Sequence, residues 1–318
     1  MPEWLERAKN DYLSRRLSRR DLDEMHDAVR KSAIKDQEAA GIDIVTDGEL
    51  QRDNMIDYFT ERLPGVQVDL GSKRFYYDFY ETQVRSKLAT GSLGLTEEVR
   101  FLRKYSEHPA KVSVSGPHTL VKRIRNNYYP SEEAFALDLG RTLNFELKEL
   151  ARAGATELQI DEPYYSGFPE DLPWAVKAIN AAVEGVDAHV TLHICYGNRY
   201  GKPSFEGSYR YLFPTILEAK VHALSLEFAR RGEEDIQLFR EFKAPFTLGL
   251  GVIDVKTQEI EPPALVADRI RRALEIVPAE RLVINPDCGC VHLPRDVAFN
   301  KLAAMVEGTK MVRAELGK

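Results

Sequence analysis

Four side chains of types that bind zinc lie at the ends of apolar runs in the second half of the chain. They are His193, Cys195, Glu227 and Cys288. Successive side chains of a strand alternate between its two faces, so His193 and Cys195, two residues apart, point the same way and can bind one ion. Zinc accepts imidazole, thiolate and carboxylate in tetrahedral sites, and a catalytic zinc site keeps one position for a displaceable ligand.

A substrate thiol in that position would be activated as a nucleophile. Coordination to zinc deprotonates a thiol, and the thiolate is the reactive form of sulfur. The pattern therefore predicts alkyl transfer onto the sulfur of a small thiol. The alternative is a non-enzymatic binding barrel with a structural zinc ion, which would need a fourth permanent ligand and a closed mouth.

Several residues close to these ligands have more than one interpretation. Glu227 is either a ligand or a buried carboxylate that pairs with an arginine such as Arg230. Cys290 points to the same side as Cys288 if the strand continues, and we favour a plain strand-end thiol over a substitute ligand. Asp287 adjoins Cys288 and would orient it, as groups behind a metal ligand commonly do.

Acidic side chains end three other apolar runs. Glu49 and Asp161, facing one cleft, would suit an ammonium group, which has several hydrogen-bond donors. Their alternative roles are helix capping or a structural ion pair with Arg52. Asp254 ends its own run in the same way and is a candidate catalytic proton acceptor.

The composition allows a large core and restricts the partners. The chain has 318 residues, 43% hydrophobic and 30% charged, and barrels of this length usually form one domain. A net charge of −6 argues against nucleic-acid or membrane surfaces, which need concentrated Lys and Arg. We find no membrane span or signal peptide, so we expect a cytoplasmic protein. Its three cysteines then fit metal binding better than disulfides.

Short β-rich runs alternate with amphipathic stretches, a pattern typical of parallel strands joined by helices. The predicted strands are 42–49, 111–117, 156–163, 189–197, 223–229, 245–254 and 281–289. Their polar residues come last, as in a TIM-like (β/α)8 barrel, whose active site lies at the C-terminal ends of its strands. We therefore predict an α/β barrel in a single domain, residues 1–318, whose first strand is missing from the chain as written.

Two segments stand apart from this alternation. Residues 65–95 contain alternating runs with no helix between them, which predicts a hairpin excursion from the barrel. Residues 197–214 hold several aromatic and glycine residues. They would form either a lid over the mouth or a surface loop that packs its own aromatic side chains.

Five motifs together resemble the catalytic half of cobalamin-independent methionine synthase. They are DGELQRDNM at 47–55, SGPHTL at 115–120, QIDEP at 159–163, HICYGN at 193–198 and NPDCGC at 285–290. They follow the order of that family over nearly the whole chain, and His-x-Cys followed by NPDCG is the most specific part.

This resemblance implies a TIM-like barrel that transfers a methyl group to homocysteine and forms methionine. The implied ligands of Zn²⁺ are His193, Cys195, Glu227 and Cys288. Glu49 and Asp161 would then hold the amino group of homocysteine.

Three departures from the family change these expectations. The family's opening Ile-Gly-Ser strand, with a serine that helps to bind homocysteine, is missing, and we expect an upstream extension or an open barrel. A duplicated N-terminal barrel that helps to bind folate has no room here, so we expect a core-only form. Lys256 stands where large members have a proton-transferring histidine, and VKRIR at 121–125 replaces a tryptophan.

These departures favour methylcobalamin or a methylated corrinoid protein over 5-methyltetrahydrofolate as the methyl donor. The same zinc–thiol chemistry would serve the opening of an epoxide by coenzyme M, or alkylation of another small thiol. A sulfonate acceptor would, however, require Arg or Lys where Glu49 and Asp161 stand.

Overall fold

Nine strands and ten helices form the part of the chain that the structure, a computed structural model, describes: residues 2–75 and 78–317. The strands are β1 (Val66–Asp69), β2 (Glu81–Val84), β3 (Lys111–Ser115), β4 (Arg125–Asn126), β5 (Glu157–Asp161), β6 (His189–Ile194), β7 (Ala223–Leu226), β8 (Thr247–Ile253) and β9 (Leu282–Pro286). The helices are α1 (Glu3–Leu13), α2 (Arg19–Ala40), α3 (Asp57–Thr60), α4 (Thr96–Tyr105), α5 (Pro117–Val121), α6 (Glu132–Arg152), α7 (Leu172–Val183), α8 (Gln237–Glu241), α9 (Pro263–Leu274) and α10 (Arg295–Glu315).

The central sheet has six parallel strands in the order β3-β5-β6-β7-β8-β9. Helices cross over between most of them, so the predicted α/β class is confirmed. All six strands end at the same edge, and the register places Ser115 beside Asp161 and Asp161 beside His193. Side chains at the carboxyl ends of β3, β5 and β6 therefore lie next to one another.

The first predicted strand, 42–49, forms only one parallel bridge, between Val45 and Ala110, in the described residues. The physical reason is local. The side-chain amide of Gln37 bonds to both the backbone N–H and the carbonyl oxygen of Thr46, at 3.0 and 2.8 Å. The backbone then turns through left-handed conformations at Gly48 and Glu49. Six of the seven predicted strands are thus observed as strands.

The segment predicted as a hairpin contains β1 and β2, which pair antiparallel from Val66 opposite Val84 to Asp69 opposite Glu81. β4 adds a short parallel pairing to β2. The Nζ atom of Lys73 lies 2.9 Å from Asp53 and 2.8 Å from Asp57. The ion pairs of the buried Lys73 ammonium group therefore attach the hairpin to the segment that follows Glu49.

Helix signals in the sequence act as expected. Ser18 caps α2 by accepting a hydrogen bond from the N–H of Asp21, and Gly41 ends the helix with φ 88°. Ser131 caps α6 in the same way. One face of α6 carries fully buried leucines, each worth about 1.5–3 kcal/mol of burial. They are Leu139, Leu143, Leu147 and Leu150.

Across the described ranges, no helix combines the length and the apolar content that a transmembrane span would need.

Candidate metal centre and substrate cleft

Three of the four predicted zinc ligands lie together at the carboxyl edge of the sheet. Among the described residues, the ligand atoms of His193, Cys195 and Cys288 all lie within 4.8 Å of one another. The two Sγ atoms are 3.7 Å apart, much farther than the about 2.05 Å of a disulfide. Two thiolates on one tetrahedral zinc ion, with Zn–S of about 2.3 Å, would be about 3.8 Å apart. The donors and their spacing therefore fit zinc.

The ring of His193 is oriented for metal binding. Its Nδ1 atom lies 3.2 Å from the backbone carbonyl oxygen of Ser225, on the neighbouring strand β7. A carbonyl oxygen can only accept, so Nδ1 carries a proton and Nε2 is the nitrogen that would bind an ion once its own proton is released. A backbone partner of this kind is the usual support of a metal-binding histidine.

The two thiols differ in acidity. A hydrogen bond from Cys195, with the charges of His193 and Lys256, places the pKa of Cys288 well below its ordinary value. The same hydrogen bond, together with burial, raises the pKa of Cys195. Burial alone would lower the pKa of His193, but the Cys288 thiolate outweighs it and raises the value to about 9. One thiolate is thus ready to bind a cation, and binding would release the remaining protons.

Glu227 follows β7 and is completely buried, but its carboxylate faces two cations. Oε1 accepts from Nε of Arg230 at 2.8 Å, which is the pairing that the sequence left open, and Oε2 accepts from Nζ of Lys256 at 2.8 Å. The side chain of Lys256 is only 4% exposed. Glu227 lies outside the group of three ligands within 4.8 Å. Its role as a zinc ligand stays a prediction.

Asp287 connects the end of β9 to the loop that carries Glu227. Its carboxylate accepts hydrogen bonds from the N–H groups of Phe228, Ala229 and Arg230, at 3.0, 2.9 and 3.0 Å. The residue is fully buried, and burial raises its pKa to about 7. Asp287 therefore fixes the loop after β7 relative to Cys288.

Two other candidates lie outside the cluster of three ligands. Cys290 does not belong to it, and burial raises the pKa of its thiol to about 12. The carboxylate of Asp254 accepts a hydrogen bond from the N–H of Lys256 at 2.8 Å. Asp254 thus shapes the turn that brings Lys256 to Glu227, and its catalytic role stays a prediction.

Glu49 and Asp161, the carboxylates predicted to bind the substrate, lie close to each other, and Asp161 also lies beside the group of metal-binding side chains. Asp161 is the register partner of His193, and its Oδ1 accepts from the side chain of Gln159 at 2.8 Å. The side chain of Glu49 keeps 38% exposure. Burial and the charge of Asp161 raise the pKa of Glu49, against the charge of Arg52. The two carboxylates are therefore close enough to repel each other.

Glu49 is held in an unusual conformation. Its φ is 54°, a left-handed value that residues other than glycine rarely adopt. Its N–H bonds to Asp47 at 2.9 Å, and Asp47 is paired with buried Arg30. Strained backbone that its surroundings hold in place is typical of functional sites.

Sequence reasoning missed Ser113, one of the residues that hold Glu49, and named the other, Arg52, as a structural ion-pair partner. Ser113 donates its hydroxyl to Oε1 of Glu49, and Arg52 donates from Nη1 to Oε2 at 3.0 Å. The polar alternation of KVSVS at 111–115 was an available signal for Ser113, because one face of a buried strand must point toward the cleft.

The segment 197–214 packs against the strand ends in this structure. Phe205 contacts the rings of Tyr164 and Phe168, with centroids 5.7 and 6.3 Å apart. The buried hydroxyl of Tyr209 donates to the carbonyl oxygen of Ile194 at 2.8 Å and accepts from the N–H of Glu227 at 2.9 Å. This segment therefore supports the backbone on either side of the metal centre.

Comparison with known proteins gives consistent results. A family model described as "Cobalamin-independent synthase, Catalytic domain" matches residues 3–311. A methionine synthase of Sulfurisphaera tokodaii is 35% identical over 99% of this chain and 90% of its own length. One from Saccharolobus islandicus is 36% identical, over 99% and 92%.

Solved structures agree. A B12-independent methionine synthase from Shewanella sp. W3-18-1, in complex with selenomethionine, matches with a TM-score of 0.84 and 31% identity. The match covers 95% of this chain and 91% of that one. A methyltransferase from Methanosarcina mazei matches at a TM-score of 0.62 and 14% identity, over 89% and 85%, which supports the fold alone.

Proposed function

Because the chain belongs to the family of cobalamin-independent methionine synthases, we propose that it is a zinc-dependent methyltransferase that methylates homocysteine to methionine. One observation carries the proposal. His193, Cys195 and Cys288 form a group that could activate a thiol, Asp161 is the register partner of His193 on the neighbouring strand, and the charge of Asp161 acts on Glu49. A substrate for this cleft needs both a thiol and a cation.

The charges in the cleft favour an amino-acid thiol. Arg52 forms a bidentate ion pair with Glu98, so it does not neutralise Glu49 and Asp161 fully. An ammonium group would supply the missing positive charge and several hydrogen-bond donors. A sulfonate thiol such as coenzyme M would instead meet two carboxylates, which disfavours that alternative.

Each residue has a defined task in this mechanism. His193, Cys195 and Cys288 would hold zinc, with Glu227 as the fourth candidate. Bound zinc lowers the pKa of a coordinated thiol, so that its sulfur is a thiolate at neutral pH.

Glu49 and Asp161 hold the amino group and aim the sulfur at the incoming methyl group. The sulfur forms a bond to the methyl carbon, and the bond between that carbon and the donor breaks, with its electron pair leaving on the donor. Orientation of the sulfur by remote binding groups accounts for part of the rate.

Methylcobalamin or a methylated corrinoid protein is the donor that we propose, with 5-methyltetrahydrofolate as the alternative. A methyl-folate donor needs a mobile acid to protonate its leaving nitrogen. Lys256 stands where large family members have a proton-transferring histidine. Its ammonium group, however, is buried in an ion pair with Glu227. A corrinoid donor requires no such proton.

The test is an assay of methionine formation from homocysteine with each donor, together with cobalt in place of zinc. We expect methionine with the corrinoid donor and a homocysteine-induced change in the cobalt absorption bands. Failure of every donor, combined with cobalt bands that do not respond to homocysteine, would refute the proposed function.

A further inference from the structure

A buried arginine, Arg52, links Glu49 to helix α4. The side chains of Arg52 and of Glu98, on α4, are 2% and 1% exposed. Arg52 donates from Nε and Nη2 to the two oxygens of Glu98, at 2.9 and 2.5 Å. It also donates from Nη1 to Glu49 and from Nη2 to the carbonyl oxygen of Ser113, both at 3.0 Å. A guanidinium group so occupied and buried is not available to bind the substrate itself.

The geometry of the contacts around Glu98 favours its ionised form. Both of its oxygens accept from Arg52, and Oε1 also accepts from the side-chain amide of Gln51 at 2.7 Å. A protonated Glu98 would direct its own O–H group, which is also a donor, at one of these N–H donors. Burial raises the pKa of Glu98 to about 7, and the charge and hydrogen bonds of Arg52 work in the opposite direction, toward the charged form.

Stability alone does not explain this network. A buried ion pair is often no more stable than well-packed apolar residues of similar volume. Here the buried charges converge on Glu49, the residue whose backbone has the left-handed φ of 54°. Arg52 donates to two carboxylates, Glu49 and Glu98, so this group of three side chains keeps one net negative charge, and the charge of Asp161 also acts on Glu49.

We propose that Arg52 and Glu98 are positioning residues that make the cleft selective for thiols carrying an amino group. Arg52 fixes the direction of the Glu49 carboxylate. Glu98 neutralises Arg52, so that the guanidinium group does not cancel the charge of Glu49. The inference rests on the proposed function, since it assumes that Glu49 binds the amino group of the thiol.

The experiment compares homocysteine with 4-mercaptobutanoate, which is the same thiol without its amino group. The readout is the ratio of the two KM values, measured for wild type and for Glu98→Gln. The variant removes a charge and keeps the shape of the side chain. We expect the preference for homocysteine to fall roughly tenfold, with the KM for 4-mercaptobutanoate nearly unchanged.

Glu146→Gln is the matched control. Glu146 is also fully buried, but it accepts from the N–H groups of Leu93 and Leu95, at 2.6 and 2.8 Å. This variant should lower the melting temperature and keep the preference for homocysteine. If Glu98→Gln does not fold, Arg52→Lys gives the same test, because one ammonium cannot reproduce the fork that holds Glu98 and Glu49 together.

The outcomes separate the two proposals. A folded Glu98→Gln or Arg52→Lys variant that keeps the wild-type preference overturns the positioning role and leaves the methyltransferase intact. A wild type that methylates neither thiol overturns the proposed function itself.

Discussion

At the scale of single residues, the candidate site consists of two groups of side chains, a set of metal-binding types and a pair of carboxylates. Cys195 and Cys288 lie 3.7 Å apart and His193 shares their group, which suits a metal that takes soft and imidazole ligands together. Glu49 and Asp161 lie near this group, and the charge of Asp161 acts on Glu49. Each half of the site can therefore be tested by changing one side chain.

Replacing Cys288 with serine should reduce zinc content strongly and abolish methyl transfer, because a weaker oxygen ligand takes the place of a thiolate. The fold should remain, since the residue lies at the rim of the sheet and not in its core. Metal analysis and circular dichroism measure the two effects. Cys290→Ser is the control and should retain zinc, as Cys290 lies outside the ligand group. Full zinc and full activity in Cys288→Ser would refute the assignment.

Replacing Asp161 with asparagine should raise the KM for homocysteine roughly tenfold or more, because a charge-assisted hydrogen bond to the ammonium is lost. The KM for 4-mercaptobutanoate should change little. Glu157→Gln, at the other end of β5, is the control that alters a carboxylate of the same strand. Equal losses for the two thiols in steady-state kinetics would show that Asp161 has a structural role.

At the scale of elements, the loops after the strands are joined to one another by buried polar groups. Asp287 holds the loop after β7, and the hydroxyl of Tyr209 bridges β6 and Glu227. The hairpin of β1 and β2 joins the same end through Lys73. The positions of the site residues therefore depend on elements that contribute no candidate metal ligand.

Replacing Lys73 with methionine should destabilise the protein by about 3–5 kcal/mol, because it leaves the buried carboxylate of Asp57 without its cation. The hairpin should then be cleaved faster in limited proteolysis at residues 65–95. The measurements are urea unfolding and peptide mapping of the digest. Lys87→Met changes an exposed lysine of the same segment. This variant should leave both the stability and the rate of cleavage unchanged. Unchanged cleavage in Lys73→Met would show that the hairpin is held by other contacts.

At the scale of the whole molecule, the sheet brings together ligands that are distant in the chain. Cys195 and Cys288 are separated by 93 positions, and they meet because each lies just beyond its strand, β6 or β9, at the same edge of one parallel sheet, where the two side chains reach each other across the ends of β7 and β8. An ion bound between them would connect two parts of the sheet. The free energy of binding would then add to the stability of the folded chain.

Removing the metal should therefore lower the melting temperature. At a free zinc concentration about 100 times the Kd, bound metal stabilises the folded state by about 2.7 kcal/mol. Calorimetry of the wild type with zinc and after chelation measures this difference. The Cys288→Ser variant should have nearly the same melting temperature with zinc and after chelation. A wild-type melting temperature that chelation does not change would contradict a zinc site at this position.

The sequence by itself determined the α/β alternation, most strands and the pairing of His193 with Cys195, because strand periodicity and capping are local properties. The predicted strand at 42–49 was wrong in most of its length, since the side chain of Gln37 satisfies the backbone of Thr46 in place of a neighbouring strand.

Only the tertiary structure decided which charges meet. It paired Lys256 with Glu227 across 29 positions and Arg52 with Glu98 across 46. No local pattern predicts such partners, because the energy of a buried charge depends on what the rest of the fold places around it. Candidates for the site residues can thus be predicted from the sequence, whereas their electrostatic environment belongs to the fold.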